Sequence, residues 1–277
     1  MQAPEHRSLV FGSPWSGIYC THTQSGRHFG RHSHATYGFG LLEHGAHRSL
    51  SGRGPVEAYA GDVITTNPGE VHDGRPLGGP SRRWRIVYVE PGALASMTAD
   101  PAFSSGNAAI TRPVIDDAGL RRALRLLFDR LERWRTGREA SAAAVLACEE
   151  SLAETWALLM ARHGTLPRLC QAGADLRKVR DRLADDPLVP PSLSDMAAMA
   201  GLSKYQVLRR FERAYGLPPH AWLLQRRAER ARALIRDGLS LAAAAASSGF
   251  SDQSHMTRIF VRQFGFTPGA WQKTVLQ

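Results

Sequence analysis

Near its C-terminal end the chain repeats itself, and that repeat restricts the fold more tightly than any other stretch. A shift of 49 residues lays Phe211, Arg213, Gly216, Pro219, Ala221 and Trp222 on Phe260, Arg262, Gly265, Pro268, Ala270 and Trp271. Six identities at matched places imply two copies of one supersecondary unit, each too small to be a solenoid repeat. Upstream of each copy stands the local chemistry of a helix-turn-helix: Ala197 and Gly201 before Leu202 and Ser203, then Ala245 and Gly249 before Phe250 and Ser251. A small alanine lets two helices cross closely, the glycine supplies a left-handed turn, and the serine is placed to start and cap the second helix. On its own such a pattern is weak; repeated with the same downstream residues it is specific. Helix-turn-helix units are therefore predicted at about 192–215 and 240–264. Two structural hairpins that bind no nucleic acid are the bland alternative.

Between the units, Pro218 to Arg236 reads as one long helix, with Trp222, Leu223, Leu234 and Ile235 as apolar anchors and Arg226, Arg227, Arg230 and Arg232 as a basic face. Such a rod would hold the two second helices about one DNA turn apart, roughly 34 Å. Ahead of it, Leu176 to Ala184 predicts a helix, and Pro190 and Pro191 break the chain before Ser192 and Ser194, either of which could cap the next. The alanine-rich run Leu241 to Ala246 predicts a supporting helix without phosphate-binding chemistry. Charge agrees with a polyanion partner: residues 165–277 carry 17 basic and 9 acidic side chains, or +8, which leaves +2 of the total +10 for the rest.

The N-terminal half has a different rhythm. From Arg27 to about Glu90, Gly, Pro or Asn interrupts the chain every several residues, with apolar pieces at Tyr37 to Leu42, Val63 to Thr66 and Trp84 to Val89, the pattern of an all-β sandwich or small barrel. Then Leu120, Leu124, Leu127, Leu131 and Trp134 recur at three and four, as do Val145, Leu152, Trp156 and Leu159, predicting two amphipathic helices joined near Thr136 and Gly137. They are expected to pack on the β domain, or to dimerise through an exposed leucine face. The segment 164–174 lacks periodicity and contains Gly and Pro, which places a domain boundary there.

With these residues in place, 175–274 resembles the DNA-binding domain of the AraC/XylS family of bacterial transcription regulators. The resemblance is closest over Gly249 to Phe260, with Phe264, Gly265 and Thr267 to Ala270 after it. It implies a seven-helix, two-lobed domain whose second helices enter the major groove, presenting Tyr205, Gln206, Leu208 and Arg209 from one and Gln253, Ser254 and Arg258 from the other. Arg can pair bidentately with guanine and Gln with adenine, while Leu208 offers apolar contact only. Arg227 joins this DNA-binding set from the basic face, whereas Val207, Phe211, Met256, Ile259 and Phe260 fall on the core side.

Histidines cluster in the β-rich half at 28, 32, 34, 44, 47 and 72. Gly26 with His32 and His34 resembles the start of a first cupin motif, and Gly61 and Asp62 through Pro68 to His72 resembles a second. A cupin enzyme adds a glutamate soon after the second histidine; here Gly38 and Phe39 stand there and the first glutamate is Glu43. The region also resembles the cupin-like effector-binding domain of AraC-type regulators. Three readings stay open: histidines that brace the barrel, polar groups of an effector pocket (Arg31, His32, His34, Tyr37, Glu70 and His72), or a metal site of His32, His34 and His72.

The expectation is an α+β two-domain chain: residues 1–164 a cupin-like β-barrel with two following helices for effector binding and dimerisation, and residues 165–277 an all-α DNA-binding domain. It is expected to be no enzyme and to need no cofactor. Its expected partners are double-stranded promoter DNA, a small-molecule effector, a second copy of itself and, if it activates, RNA polymerase. A metal-dependent cupin enzyme fused to a DNA-binding tail, or a regulator without an effector, are the alternatives. Cys20, Cys148 and Cys170 are too few and too scattered for a disulfide framework or a thiolate metal site. Without an apolar run long enough to span a bilayer or a secretory pattern at Met1 to Gly12, a cytoplasmic location without membrane contact is expected.

Overall fold

The computed structural model describes residues 5–93, 108–136, 142–165, 174–202 and 204–276. It divides into two units, Met1–Phe29 with Ala35–Pro167 and Gly30–His34 with Arg168–Gln277.

Apolar runs make the central strands, with Tyr37 to Leu42 buried without a break. One sheet takes the order β1-β2-β9-β4-β7-β11, from His6–Gly12, Ile18–Ser25, Arg82–Val89, Tyr37–His44, Val63–Thr66 and Val114–Ile115. A second takes the order β3-β8-β5-β6, from Phe29–His32, His72–Pro76, Ala46–Ser51 and Gly54–Tyr59. A short pair joins β10 (Ala109–Ile110) to β12 (Gly164–Thr165). Among the described residues neither sheet closes on itself, so of the sandwich and small barrel that the strand rhythm allowed the cupin-like body is the sandwich, not the closed barrel that the cupin resemblance implied. At its centre β4 and β9 approach closely: a Cβ on Gly40 would lie 1.9 Å from the carbonyl oxygen of Arg85. Only glycine permits that backbone contact.

Two helices follow, α1 (Ala118–Arg135) and α2 (Ala142–His163); the junction residue Gly137 lies outside the described residues. Their stripes do not form an exposed leucine face. Leu120, Leu124, Leu127, Leu131, Leu152, Trp156 and Leu159 are buried in one cluster with Phe39, Val63, Val87 and Val89 of the sheet. The half-open sandwich needs a lid for its apolar face, and burying these side chains there stabilises more than leaving them in water would. The large apolar residues left exposed on these helices are Leu126 and Leu146. Cys20 and Cys148 are buried free thiols, and Cys170 lies outside the described residues.

Asp117 starts α1 by accepting from the backbone N–H groups of Gly119 and Leu120 at 2.8 and 3.0 Å, and it also meets Arg162 and His163 of α2. The Leu120 N–H first, then His163 and Arg162, hold its carboxyl far below the ordinary carboxylate range. A depressed folded value means that this contribution is complete above the unfolded value of about 3.9 and is lost as pH falls below it. Acid unfolding of Asp117→Asn is therefore expected to be less steep below about pH 4 than that of the parent, with a lower melting temperature at neutral pH, both read from thermal melts across pH.

The second unit is helical: α3 (Ala174–Asp185), α4 (Leu193–Ala200), α5 (Lys204–Tyr215), α6 (Pro219–Arg236), α7 (Leu241–Ser247), α8 (Gln253–Phe264) and α9 (Pro268–Val275). Ser192 starts α4 in a capping box with Asp195, Ser240 caps α7, and Thr267 caps α9. One apolar cluster gathers Leu176, Val179, Leu183, Met196, Ala197, Val207, Phe211 and Leu223. Phe260, Phe264, Phe266 and Trp271 form the matching aromatic core of the second lobe. No described helix is long and apolar enough to cross a membrane.

Candidate nucleic-acid interface

The two helix-turn-helix units share their turn chemistry. Gly201 and Gly249 adopt φ of 62° and 82°, and Gly216 and Gly265 adopt 76° and 79° after the second helices. Ala197 and Ala245 are buried where the paired helices cross. The repeat is offset by 48 between Gly201 and Gly249 but by 49 between Phe211 and Phe260, so the second turn holds one extra residue. Asp252 occupies that longer turn, and it, not Ser251, caps α8: its Oδ1 accepts from the His255 N–H at 2.7 Å while Ser251 Oγ donates to the other carboxylate oxygen. A charged acceptor at this end also suits the partial positive charge of the helix N-terminus. The counterpart Ser203 lies outside the described residues.

On α8 the faces separate cleanly. Gln253, Ser254 and Arg258 are exposed, while Met256 and Phe260 are buried and Ile259 is half-buried. On α5, Gln206 and Leu208 are exposed and Val207 and Phe211 are buried; Tyr205 and Arg209 belong to the same helix, but their side chains lie outside the described residues. Each second helix thus turns one polar face to solvent at the period of an α-helix, with donors and acceptors of the types that match base edges.

The connecting helix α6 spans 18 residues, about 27 Å at the usual rise. Its arginines do not form one basic face. Arg232 is buried, pairs with Glu229 at 3.1 Å and lies over the rings of Phe264 and Trp271, so this member of the expected face belongs to the core. Arg227 donates to the carbonyl of Pro187 at 2.8 Å and packs against Gly249, tying the start of one lobe to the turn of the other. Arg226 is exposed beside Trp222, and Arg230 donates to the Ser247 carbonyl.

The two turn glycines separate conformational strain from crowding. A Cβ on Gly201 would meet nothing within 4 Å, whereas one on Gly249 would sit 2.9 Å from Arg227 Nε. Gly201→Ala is expected to cost only the left-handed backbone penalty, roughly 1–2 kcal/mol, and Gly249→Ala more because Arg227 must also move. Urea denaturation of the two variants checks the order.

Tyr37 is buried in the first unit and its hydroxyl donates to the Ala108 carbonyl at 2.7 Å. Glu70 accepts from the backbone and side chain of Asn67, and His72 Nδ1 lies 3.0 Å from the Glu70 carbonyl. Arg31, His32 and His34 belong to the second unit, where Arg31 is exposed and the rings of His32 and His34 meet edge to face at 4.9 Å. Arg82, buried in the first unit and hydrogen-bonded to His47, carried no such spacing signal.

Residues 16–153 match the family described as an AraC-like ligand binding domain, and residues 196–274 match one described as a helix-turn-helix domain. Transcriptional activator NphR of Rhodococcus sp is 38% identical over 113 residues, 38% of this chain and 33% of that protein, so the match spans about a third of that relative's length. The uncharacterized HTH-type transcriptional regulator YbfI of Bacillus subtilis is 24% identical over 82% of this chain and 81% of its own. Among solved structures, ToxT from Vibrio cholerae O395 is similar with a TM-score of 0.52 at 11% identity, covering 98% of each chain, a likeness of fold.

Proposed function

Because the chain belongs to the AraC/XylS family of transcription regulators, with an N-terminal ligand-binding domain and a C-terminal helix-turn-helix domain, we propose that it reads promoter DNA through α5 and α8 under the control of a small molecule bound in its first unit. The observation that carries the reading is the pair of second helices with the same turn glycines, the same buried phenylalanine and an exposed polar face. Tyr205, Gln206, Leu208 and Arg209 are proposed for one groove, and Gln253, Ser254 and Arg258 for the next. Arg227 is proposed chiefly as a brace between the lobes, since its guanidinium already has a carbonyl partner.

An effector that binds one state of the chain better than another shifts which promoter sites are occupied. We extend the proposal to a homodimer, because paired half-sites are read by a two-fold pair, and to RNA polymerase contact where the chain activates. Footprinting of the purified chain on the promoter beside its own coding sequence tests the reading. Two protected stretches about one helical turn apart are expected. Uniform, salt-sensitive protection of any DNA would leave only nonspecific binding. A single-chain mass in sedimentation equilibrium on bound and free protein would remove the dimer.

A further inference from the structure

A short segment from the N-terminal half of the chain packs with the helical unit. Gly30–His34, which runs from within β3 into the link before β4, belongs to the second unit together with Arg168–Gln277. At its middle, Ser33 has its N–H, hydroxyl and carbonyl all engaged by two glutamine side chains. The backbone N–H and the hydroxyl both donate to Gln225 Oε1 of α6, at 3.0 and 2.7 Å. The carbonyl accepts from Gln263 Nε2 of α8 at 3.2 Å. Beside it the His34 ring stacks on Phe264 of α8 with centroids 6.0 Å apart, and His32 Nδ1 closes the segment on itself by donating to the Gly30 carbonyl at 2.7 Å.

The two glutamines face Ser33 with opposite ends of their amides. Gln225 presents its oxygen, because both Ser33 groups there are donors. Gln263 presents its NH2 group, because the Ser33 carbonyl and the Glu229 carboxylate, 3.3 Å away, are acceptors. Gln263 is 3% exposed and its own oxygen is buried without a partner, so the two acceptors alone set how that amide lies. Glu229 in turn pairs with Arg232, which lies over the rings of Phe264 and Trp271. Hydrogen bonds thus join the segment to the aromatic core of the second lobe.

We propose that Ser33 is a positioning residue for DNA reading: held by Gln225 and Gln263, the segment Gly30–His34 sets the placement of α8 against α6. The proposal rests on the reading of α8 as a DNA-reading helix. Gln263 stands in the last turn of α8 and Gln253 in its first, about 15 Å apart at the usual rise. A shift at the held end carries Gln253, Ser254 and Arg258 with it, and a recognition surface has to be kept within about 0.5 Å of its productive geometry. Since Ser33 directly follows His32, the last residue of β3, the N-terminal half has a hold on the second reading helix through one peptide bond and these contacts.

The same exchange of amide for carboxylate at the two glutamines tests it, because opposite results are expected. Gln225→Glu keeps the acceptor for both Ser33 donors, and its affinity for the footprinted site should stay within about twofold of the parent. Gln263→Glu removes the donor and sets a carboxylate against Glu229 and the Ser33 carbonyl, so affinity should fall at least about tenfold. Should Gln263→Glu fail to fold, Gln225→Leu still decides, since it removes only the shared acceptor at a half-buried place on α6. Its affinity should fall about 2- to 10-fold, with base preference relaxed in the half of the site that α8 reads and unchanged in the half that α5 reads. In the full chain without DNA, hydrogen exchange in Gln225→Leu should be faster than in the parent over residues 30–34 and 253–264 and unchanged over 204–215. A loss spread evenly over both halves of the site, or Gln225→Glu as weak as Gln225→Leu, would overturn the proposal. Should the parent protect no specific site, the reading of α8 is what fails; unchanged exchange over 253–264 in Gln225→Leu, with or without a site, is what overturns the hold of Ser33 on that helix.

Discussion

Replacing Phe260 with alanine is expected to cost about 3–5 kcal/mol of stability, a large fraction of what a domain of this kind has in total. Phe260 is fully buried and central to the second lobe: its ring meets Phe264 at 4.5 Å and Phe266 at 5.8 Å, and Phe266 stacks on Trp271 at 6.1 Å. Truncation removes the apolar burial and leaves a cavity that rings fixed by three different contacts cannot close. Because α8 presents Arg258 only while this core holds it, DNA binding should be lost together with folding of the lobe. Urea denaturation followed by tryptophan fluorescence checks the stability, and a band shift on the footprinted site checks the binding. Phe260→Leu, which keeps most of the volume, should fall between the variant and the parent; equal midpoints for all three would show that the lobe is held by something other than this cluster.

Arg258→Ala is expected to weaken binding to the cognate site by about 1–3 kcal/mol, roughly 5- to 150-fold, and to relax preference at one base pair. Arg258 is exposed on the same face of α8 as Gln253 and Ser254, and its removal disturbs no buried group. Stability should therefore stay within the range of a surface substitution while affinity falls. Arg209→Ala in α5 should act likewise at the other half of the site. The comparison that decides its role is random DNA: an equal loss there, with a shallower salt dependence, would make Arg258 a phosphate contact. A base contact loses affinity for the cognate sequence alone.

Much of the second unit was legible from residue order alone, because its determinants are local. The left-handed glycines, the alanines at the helix crossings and the buried Phe211 and Phe260 all stand where the repeat put them. The cap of α8 was missed by one residue: Ser251 and Asp252 are both good caps, and only the longer second turn favours Asp252. The leucine stripe of α1 was correctly periodic, but its partner could not be read, since the same stripe serves a dimer or a sandwich. Arg232 looked like any other member of a basic helix and proved to be buried against Glu229 and two aromatic rings.

The sensing half shows the limit most clearly. Histidine spacing drew attention to His32, His34 and His72, and His32 and His34 do meet edge to face, as residues two apart can. Arg82 had no motif at all. Its significance arises only when residues from distant strands surround it, with Ser25, His47 and Gly74 near one guanidinium and no carboxylate among its partners. The sequence by itself determined the duplicated helical reader, because turns, caps and helix faces depend on neighbours within a few residues. The tertiary structure alone decided which apolar stripe is covered and which charge is buried, because desolvation depends on what long-range packing brings to each side chain.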